Sequence, residues 1–177
     1  MSRGPEAESK LLPHLDAAFN LARWLTRNDH DAEDVVQEAY VRALRYFDSL
    51  KGGDARPWLL GIVRNTCFTW LEKNRPAELV AVEDLDALPA EPEATGGAPL
   101  NPEVILLQSA NRKLVNQALE ELPVIYREVL VMREIEDMSY KEIATVAGVP
   151  LGTVMSRLAR GRDMLRRAIE RRMRRAS

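Results

Sequence analysis

The chain has 177 residues, 46% of them hydrophobic and 29% charged, with a formal net charge of −2. That is the composition of a soluble globular protein and not of a disordered one. No apolar run is long enough to cross a bilayer and the N-terminus lacks the apolar stretch of a secretory signal, so no membrane insertion and a cytoplasmic location are expected. The single cysteine, Cys67, excludes an internal disulfide. With only His14 and His30 beside it, no metal site of zinc spacing can be built. No phosphate-cradling glycine loop and no Ser–His–Asp or Cys–His grouping stands out, so neither a cofactor nor catalysis is expected.

Charge divides the chain into three. Residues 1–76 hold eleven basic and eleven acidic side chains, residues 77–105 seven acidic and no Lys or Arg, and residues 106–177 fourteen basic against nine acidic. The middle stretch carries Pro89, Pro92, Pro99 and Pro102 with Gly96-Gly97, a composition unsuited to burying a core and expected to behave as an extended linker. The reading is all-α: two small helical domains, 1–76 and 106–177, on a flexible acidic tether.

In the first domain, Leu11, Leu12, Leu15, Phe19, Ala22 and Leu25 recur at helical spacing, predicting one helix that ends in the polar cluster 26–30. The next helix is expected to start with Asp31 as N-cap, with acidic residues in its first turn to complement the helix dipole. On it, Val36, Tyr40, Ala43, Leu44 and Phe47 share one face, while Asp34, Gln37, Glu38, Val41, Arg42 and Arg45 fall elsewhere. A loop with Ser49, Lys51, Gly52, Gly53 and Asp54 follows. Pro57 opens a third helix, acceptable in a first turn, which runs from about Trp58 to Asn74 and stops at Pro76. Trp58 and Trp70 could be stacking platforms, but large aromatics at helical spacing more often pack inward. Cys67, among apolar residues, fits the core.

The second domain is predicted to hold a helix from about Pro102 to Glu121 and another over Ile125–Ile135, separated by Pro123. Residues 139–162 read as two short helices joined by a tight turn. Ile143 and Ala144 point inward, with Ala144 small enough for a close helix crossing, and Gly148 suits a turn of positive φ. Val149, Val154 and Leu158 make the stripe of the second helix, leaving Thr153, Ser156, Arg157 and Arg160 on other faces for phosphates and base edges. That is the layout of a helix-turn-helix whose second helix enters the major groove. Residues 151–177 hold nine Arg against two acidic residues, a local charge of +7, which marks one polyanion-binding end on a mildly acidic chain.

These residues carry a family likeness. Asp31-Ala-Glu-Asp-Val-Val-Gln-Glu-Ala-Tyr-Val-Arg-Ala43, Phe47-Asp-Ser-Leu50 and Trp58-Leu-Leu-Gly-Ile-Val-Arg-Asn65-Thr resemble region 2 of bacterial sigma factors. Leu119-Glu-Glu-Leu-Pro123 through Arg133-Glu134, Ser139-Tyr-Lys-Glu-Ile-Ala and Gly152-Thr-Val-Met-Ser-Arg157 resemble their region 4. The order and coverage are similar to the extracytoplasmic-function (ECF, group IV) subfamily. The resemblance implies a non-catalytic subunit that joins core RNA polymerase at the clamp helices of the largest subunit and at the flap. It also implies readout of −10 and −35 promoter DNA, and restraint by an anti-sigma protein that covers the polymerase-binding surfaces.

Carried over by motif, Asp34, Gln37, Glu38 and Arg42 would be polar contacts to the clamp helices. Ser49, Lys51 and Asp54 in the loop, with Arg64 and Asn65 on the following helix, would capture unstacked −10 bases. Arg133, Pro150, Gly152, Thr153, Ser156, Arg157 and Arg160 match the family's −35 contacts. Gly152 and Thr153 lie at a helix N-terminus, where N–H groups can bind phosphate. Arg157 and Arg160 suit guanine edges or phosphates alike. Met155 departs from the Arg or Lys common in relatives, so one phosphate contact is in doubt. Arg166 to Arg175 would add backbone contacts or form a solvated helix end. The competing readings are a dimeric helix-turn-helix regulator that works without polymerase, and a protein-binding scaffold that reads no DNA.

Overall fold

The computed structural model describes residues 3–80 and 109–176, and among them the chain is helical with no strand. The expected first helix is two. Helix α1 (Arg3–Leu11) and helix α2 (Leu15–Thr26) are separated by a 3-10 turn, Leu12–His14, because Pro13 lacks the donor needed to carry the α ladder through. Helix α3 (Asp29–Arg45) is capped not by Asp31 but by Asn28, whose side chain accepts the Asp31 N–H at 3.0 Å. Asp31 lies instead in the first turn, where its charge still complements the dipole.

A 3-10 turn, Phe47–Leu50, leads to α4 (Ala55–Asn74), which opens two residues before Pro57 because Asp54 caps it, accepting the Arg56 N–H at 3.1 Å. Pro57 sits within the first turn, where no intrahelical bond is lost. A short helix α5 (Ala77–Val80) begins the segment expected as linker. Residues 81–108, which hold its prolines and the predicted start at Pro102, lie outside the described residues.

The second half opens with α6 (Ser109–Glu121) and, after Pro123, α7 (Val124–Leu130), which continues as a π turn over Val131–Ile135. Helix α8 (Tyr140–Ala147) begins with a reciprocal cap. Ser139 Oγ accepts the Glu142 N–H at 3.1 Å, and the Glu142 carboxylate accepts the Ser139 N–H at 3.0 Å. Gly148 closes it at φ 67°, as the turn requires, and α9 runs over Leu151–Ala176. A β-carbon at Gly148 would meet nothing within 4 Å, so the cost of G148A is purely conformational. Urea unfolding of that variant should show a loss of about 1–2 kcal/mol.

Among the described residues the main core cluster runs through both halves. Leu21 and Leu25 of α2, Val35 and Ala39 of α3, and Leu59, Leu60, Val63 and Cys67 of α4 join Ile125, Val129 and Leu130 of α7, Ile143 of α8, and Val154 and Leu158 of α9. The halves meet where α8 lies against α4 and α7 against α2. Helix α9 approaches α7 so closely that a β-carbon on Gly161 would sit 3.2 Å from Leu130 Cδ1, which is why glycine stands there. A small cluster of Ala118, Ala168 and Ile169 ties α6 to the far part of α9. Trp58 and Trp70 are half-buried against the core, Trp58 edge-on to Phe47 with ring centroids 6.4 Å apart. Cys67 is buried, and that burial pushes its thiol well above the ordinary range, so it is no thiolate at neutral pH.

Candidate nucleic-acid interface

Helix α3 turns Ala32, Val35, Ala39 and Ala43 to the core. The complementary face exposes Asp34, Gln37, Glu38 and Arg42 together, as the 3.6-residue period requires once the apolar stripe is buried. Glu38 and Arg42 pair at 2.9 Å, and His30 lies 3.6 Å from Asp34. Val41, 56% exposed, and Tyr46, 58% exposed, add apolar surface that the polar pattern did not announce.

The loop after α3 is a tight structure in its own right. Ser49 Oγ donates to the Tyr46 carbonyl at 2.7 Å, Lys51 adopts φ 42°, and Asp54 is the cap of α4. Lys51 and Asn65 are exposed, but Arg64 is drawn away from them. Its Nε and Nη2 donate to the two carboxylate oxygens of Glu128 at 2.9 and 3.0 Å, and its guanidinium centre lies 3.6 Å from the Phe68 ring centroid. Arg64 therefore faces the second half of the chain, apart from Ser49 and Lys51.

In the helix-turn-helix, Pro150 and Gly152 are exposed and Thr153 half-buried. The Thr153 N–H is already engaged by the Pro150 carbonyl at 3.0 Å, and Ser156 Oγ donates to the Thr153 carbonyl at 3.0 Å. Arg133 donates to the Met138 carbonyl at 2.8 Å and lies over the Tyr140 ring. Arg160 is half-buried. Arg157 corrects the sequence reading. Expected on an open face, it is 6% exposed, with Nη1 3.9 Å from Glu128 Oε1. The reason is spacing: Val154, Arg157, Leu158 and Gly161 follow one another at i, i+3, i+4 and i+7, the stripe that faces the core.

Several arginines of α9 are held by neighbouring carboxylates. Arg162 pairs with Glu134 at 3.0 Å, Arg166 and Arg167 with Asp163 at 2.6 and 3.1 Å, and Arg172 with Glu121. The local excess of positive charge is thus partly neutralised before any polyanion arrives. Among the described residues no group of His, Cys, Asp or Glu could hold a metal ion, and no helix is long and apolar enough to cross a membrane.

The residues that the sequence reading passed over are those that join the halves. Glu128, wholly buried, takes Arg64 from α4 and Arg157 from α9. Arg127 beside it donates to the carbonyls of Glu120 and Leu122 at 3.1 and 3.0 Å and reaches the Leu25 carbonyl at 3.5 Å. Glu78 of α5 stands between Arg27 and Arg127. Burial, aided by the nearby Arg27, pulls the Arg127 guanidinium down to about 10 against the pull of Glu78, Glu120 and Glu128, so it stays charged at neutral pH. Asn20 and Arg56 donate to the Glu136 carboxylate and carbonyl, each at 2.6 Å. The signal in the sequence was Arg127-Glu128 in the middle of the apolar run from Val124 to Met132, since charges enter a core only with partners.

Comparison with known proteins agrees with this architecture. Residues 12–76 match the sigma-70 region 2 family and residues 112–165 the sigma-70 region 4 family. The ECF RNA polymerase sigma factor SigE of Mycolicibacterium smegmatis is 36% identical over 163 residues, 92% of this chain and 61% of that relative. The ECF RNA polymerase sigma-E factor of Escherichia coli K12 is 38% identical over 141 residues, 76% of this chain and 72% of that one. A co-crystal structure of the sigma factor RpoE in complex with the anti-sigma factor NepR from Bartonella quintana superposes with a TM-score of 0.66 at 25% identity, covering 92% of this chain and 96% of that one. Two sigma-70 family matches in the order of the two packed halves, and relatives of this similarity, leave one assignment: the chain belongs to the ECF family of RNA polymerase sigma factors.

Proposed function

We infer that this chain joins core RNA polymerase in the cytoplasm, without catalysing a reaction itself, and directs it to promoters with a particular pair of −10 and −35 elements. Domain 1–76 would hold the polymerase contact and the −10 reader, domain 106–177 the −35 reader, and 77–105 the connection between them. The observation that carries the reading is the exposed group Asp34, Gln37, Glu38 and Arg42 on α3 in the same chain as a capped helix-turn-helix. A face of four polar residues over a packed apolar stripe suits the clamp helices of the largest subunit. For −10 capture, Ser49, Lys51 and Asp54 would act from the loop that leads into α4, and Asn65 from an exposed position midway along that helix. For −35 readout, Pro150, Gly152, Thr153 and Ser156 stand at the start of α9, Arg160 further along it and Arg133 before α8, with the flap as the partner of this half.

Arg64 and Arg157 fit the reading in a different way. Arg157 faces Glu128 within the second half, whereas Arg64 is held on Glu128 across the packed halves, so Arg64 reaches DNA only after the halves part. The structural neighbour RpoE is held in a complex with an anti-sigma factor, and an anti-sigma protein that bound both halves of this chain at once would favour the packed form.

Run-off transcription with purified core polymerase, this chain and fragments of its own genome tests the assignment. Specific transcripts that require the chain, with starts a fixed distance from paired elements, are expected. Tight binding to a palindromic site without polymerase, and no transcripts, would favour a dimeric regulator. With promoters in hand, R160A should weaken −35 binding about tenfold or more, the scale of one bidentate base contact. Loss at one base position only would assign Arg160 to a base edge, and uniform loss with a shallower salt dependence would assign it to phosphate.

A further inference from the structure

The first turns of α9 are poor in free polar readers. Gly152 has no side chain, Thr153 is half-buried, the Ser156 hydroxyl proton is given to the Thr153 carbonyl, and Arg157 is buried. What does stand out is apolar. Leu151 is 48% exposed and Met155 53% exposed, one turn apart on the same side of the helix. Large apolar side chains left in water on a basic helix call for an occupant. The N-terminal part of a recognition helix is the part that meets base edges. In the major groove the only apolar group a base pair offers is the C5-methyl of thymine. Resting on the assignment of α8–α9 to −35 DNA, we propose that Leu151 and Met155 read thymine methyls in the −35 element, so that this chain selects A·T pairs there by apolar contact.

The spacing fits more than one thymine. Residues one turn apart are separated by about 6 Å along the helix, close to two steps of about 3.4 Å on a DNA strand. Met155 suits this task because an unbranched thioether adapts its shape to a flat target. Farther along α9 the basic excess, +7 over residues 151–177 and partly offset by carboxylates, adds attraction to the backbone while the apolar pair discriminates between bases. Exchanging thymine for cytosine would remove the methyl and with it the apolar contact, while the neighbouring C4 substituent is polar in both bases, so the discrimination rests on the methyl.

The test is replacement of each −35 thymine in turn by deoxyuridine, which keeps base pairing and removes only the methyl. Holoenzyme binding to the resulting duplexes is then measured. At one or two positions the wild-type holoenzyme should bind about fourfold more weakly per methyl removed, the scale of burying one such group. M155A, whose exposed position leaves the fold intact, should bind thymine DNA more weakly by a similar factor and lose its sensitivity to deoxyuridine at one of those positions. L151A should do the same at the neighbouring one. If the holoenzyme binds and initiates normally and no deoxyuridine matters at any position, the thymine readout is wrong while the sigma-factor assignment stands. If it binds no promoter at all, the assignment itself fails and the proposal with it.

Discussion

Replacing Glu128 with alanine should be among the most damaging single changes in the chain, lowering unfolding free energy by about 3–5 kcal/mol, the range for stripping a buried ion pair of one partner. The carboxylate is wholly buried, makes a two-pronged contact with Arg64, and lies within 3.9 Å of Arg157. Without it, two guanidiniums that cannot give up their protons lose the carboxylate they face. E128Q keeps the volume and part of the hydrogen bonding, so it should fall between wild type and alanine. E38A provides the contrast. Glu38 pairs with Arg42 across a solvent-exposed turn, and such a pair is worth about 0.5 kcal/mol. Urea unfolding followed by circular dichroism ranks the three. A double-mutant cycle on Arg64 and Glu128 then isolates the contact that crosses from the first half to the second, since the pairwise energy survives subtraction of each residue's private effects. Unfolding of E128A indistinguishable from wild type would mean that this contact does not hold the halves together.

That buried carboxylate also shows where sequence reasoning reached its limit. Periodicity found the exposed polar face of α3, because that follows from 3.6 residues per turn alone, but the centre of its buried stripe is Ala32, Val35, Ala39 and Ala43, with the expected Val36, Tyr40, Leu44 and Phe47 half-buried beside it. The turn at Gly148 was legible because positive φ selects glycine locally. Legibility failed where a partner lies far along the chain. Arg157 stands at i+3 from Val154 on the buried stripe, yet an arginine there makes sense only once Glu128 is known to lie opposite. Helix boundaries slipped for the same kind of reason. Asn28 and Asp31 are both good caps by type, and only the backbone entering α3 decides that Asn28 Oδ1 meets the Asp31 N–H. The expected single helix through Leu11–Leu25 is divided at Pro13, a break that apolar spacing alone does not register. Of the candidate site residues, the four on α3 share one exposed face as spacing demanded, whereas Arg64 was drawn from its neighbours by a charge 64 positions away.

The second large effect is expected on α3. The triple replacement D34A, Q37A and E38A should leave the thermal midpoint almost unchanged, because all three side chains are exposed and surface changes of this kind are usually within about 0.5 kcal/mol each. Run-off transcription should nevertheless fall by at least about thirtyfold, the effect of losing a single strong anchor worth about 2 kcal/mol at a protein interface. The split between folding and activity is what separates a docking face from a solvated one. Arg42 refines the argument, because E38A alone also frees the Arg42 guanidinium from its 2.9 Å partner. R42A measured beside E38A therefore tells whether the pair acts on the polymerase as two contacts or whether Glu38 serves to hold Arg42 in place. Transcription by the triple variant equal to wild type would remove α3 as the polymerase-facing surface, and the exposed Val41 and Tyr46 at its far end would then need another explanation.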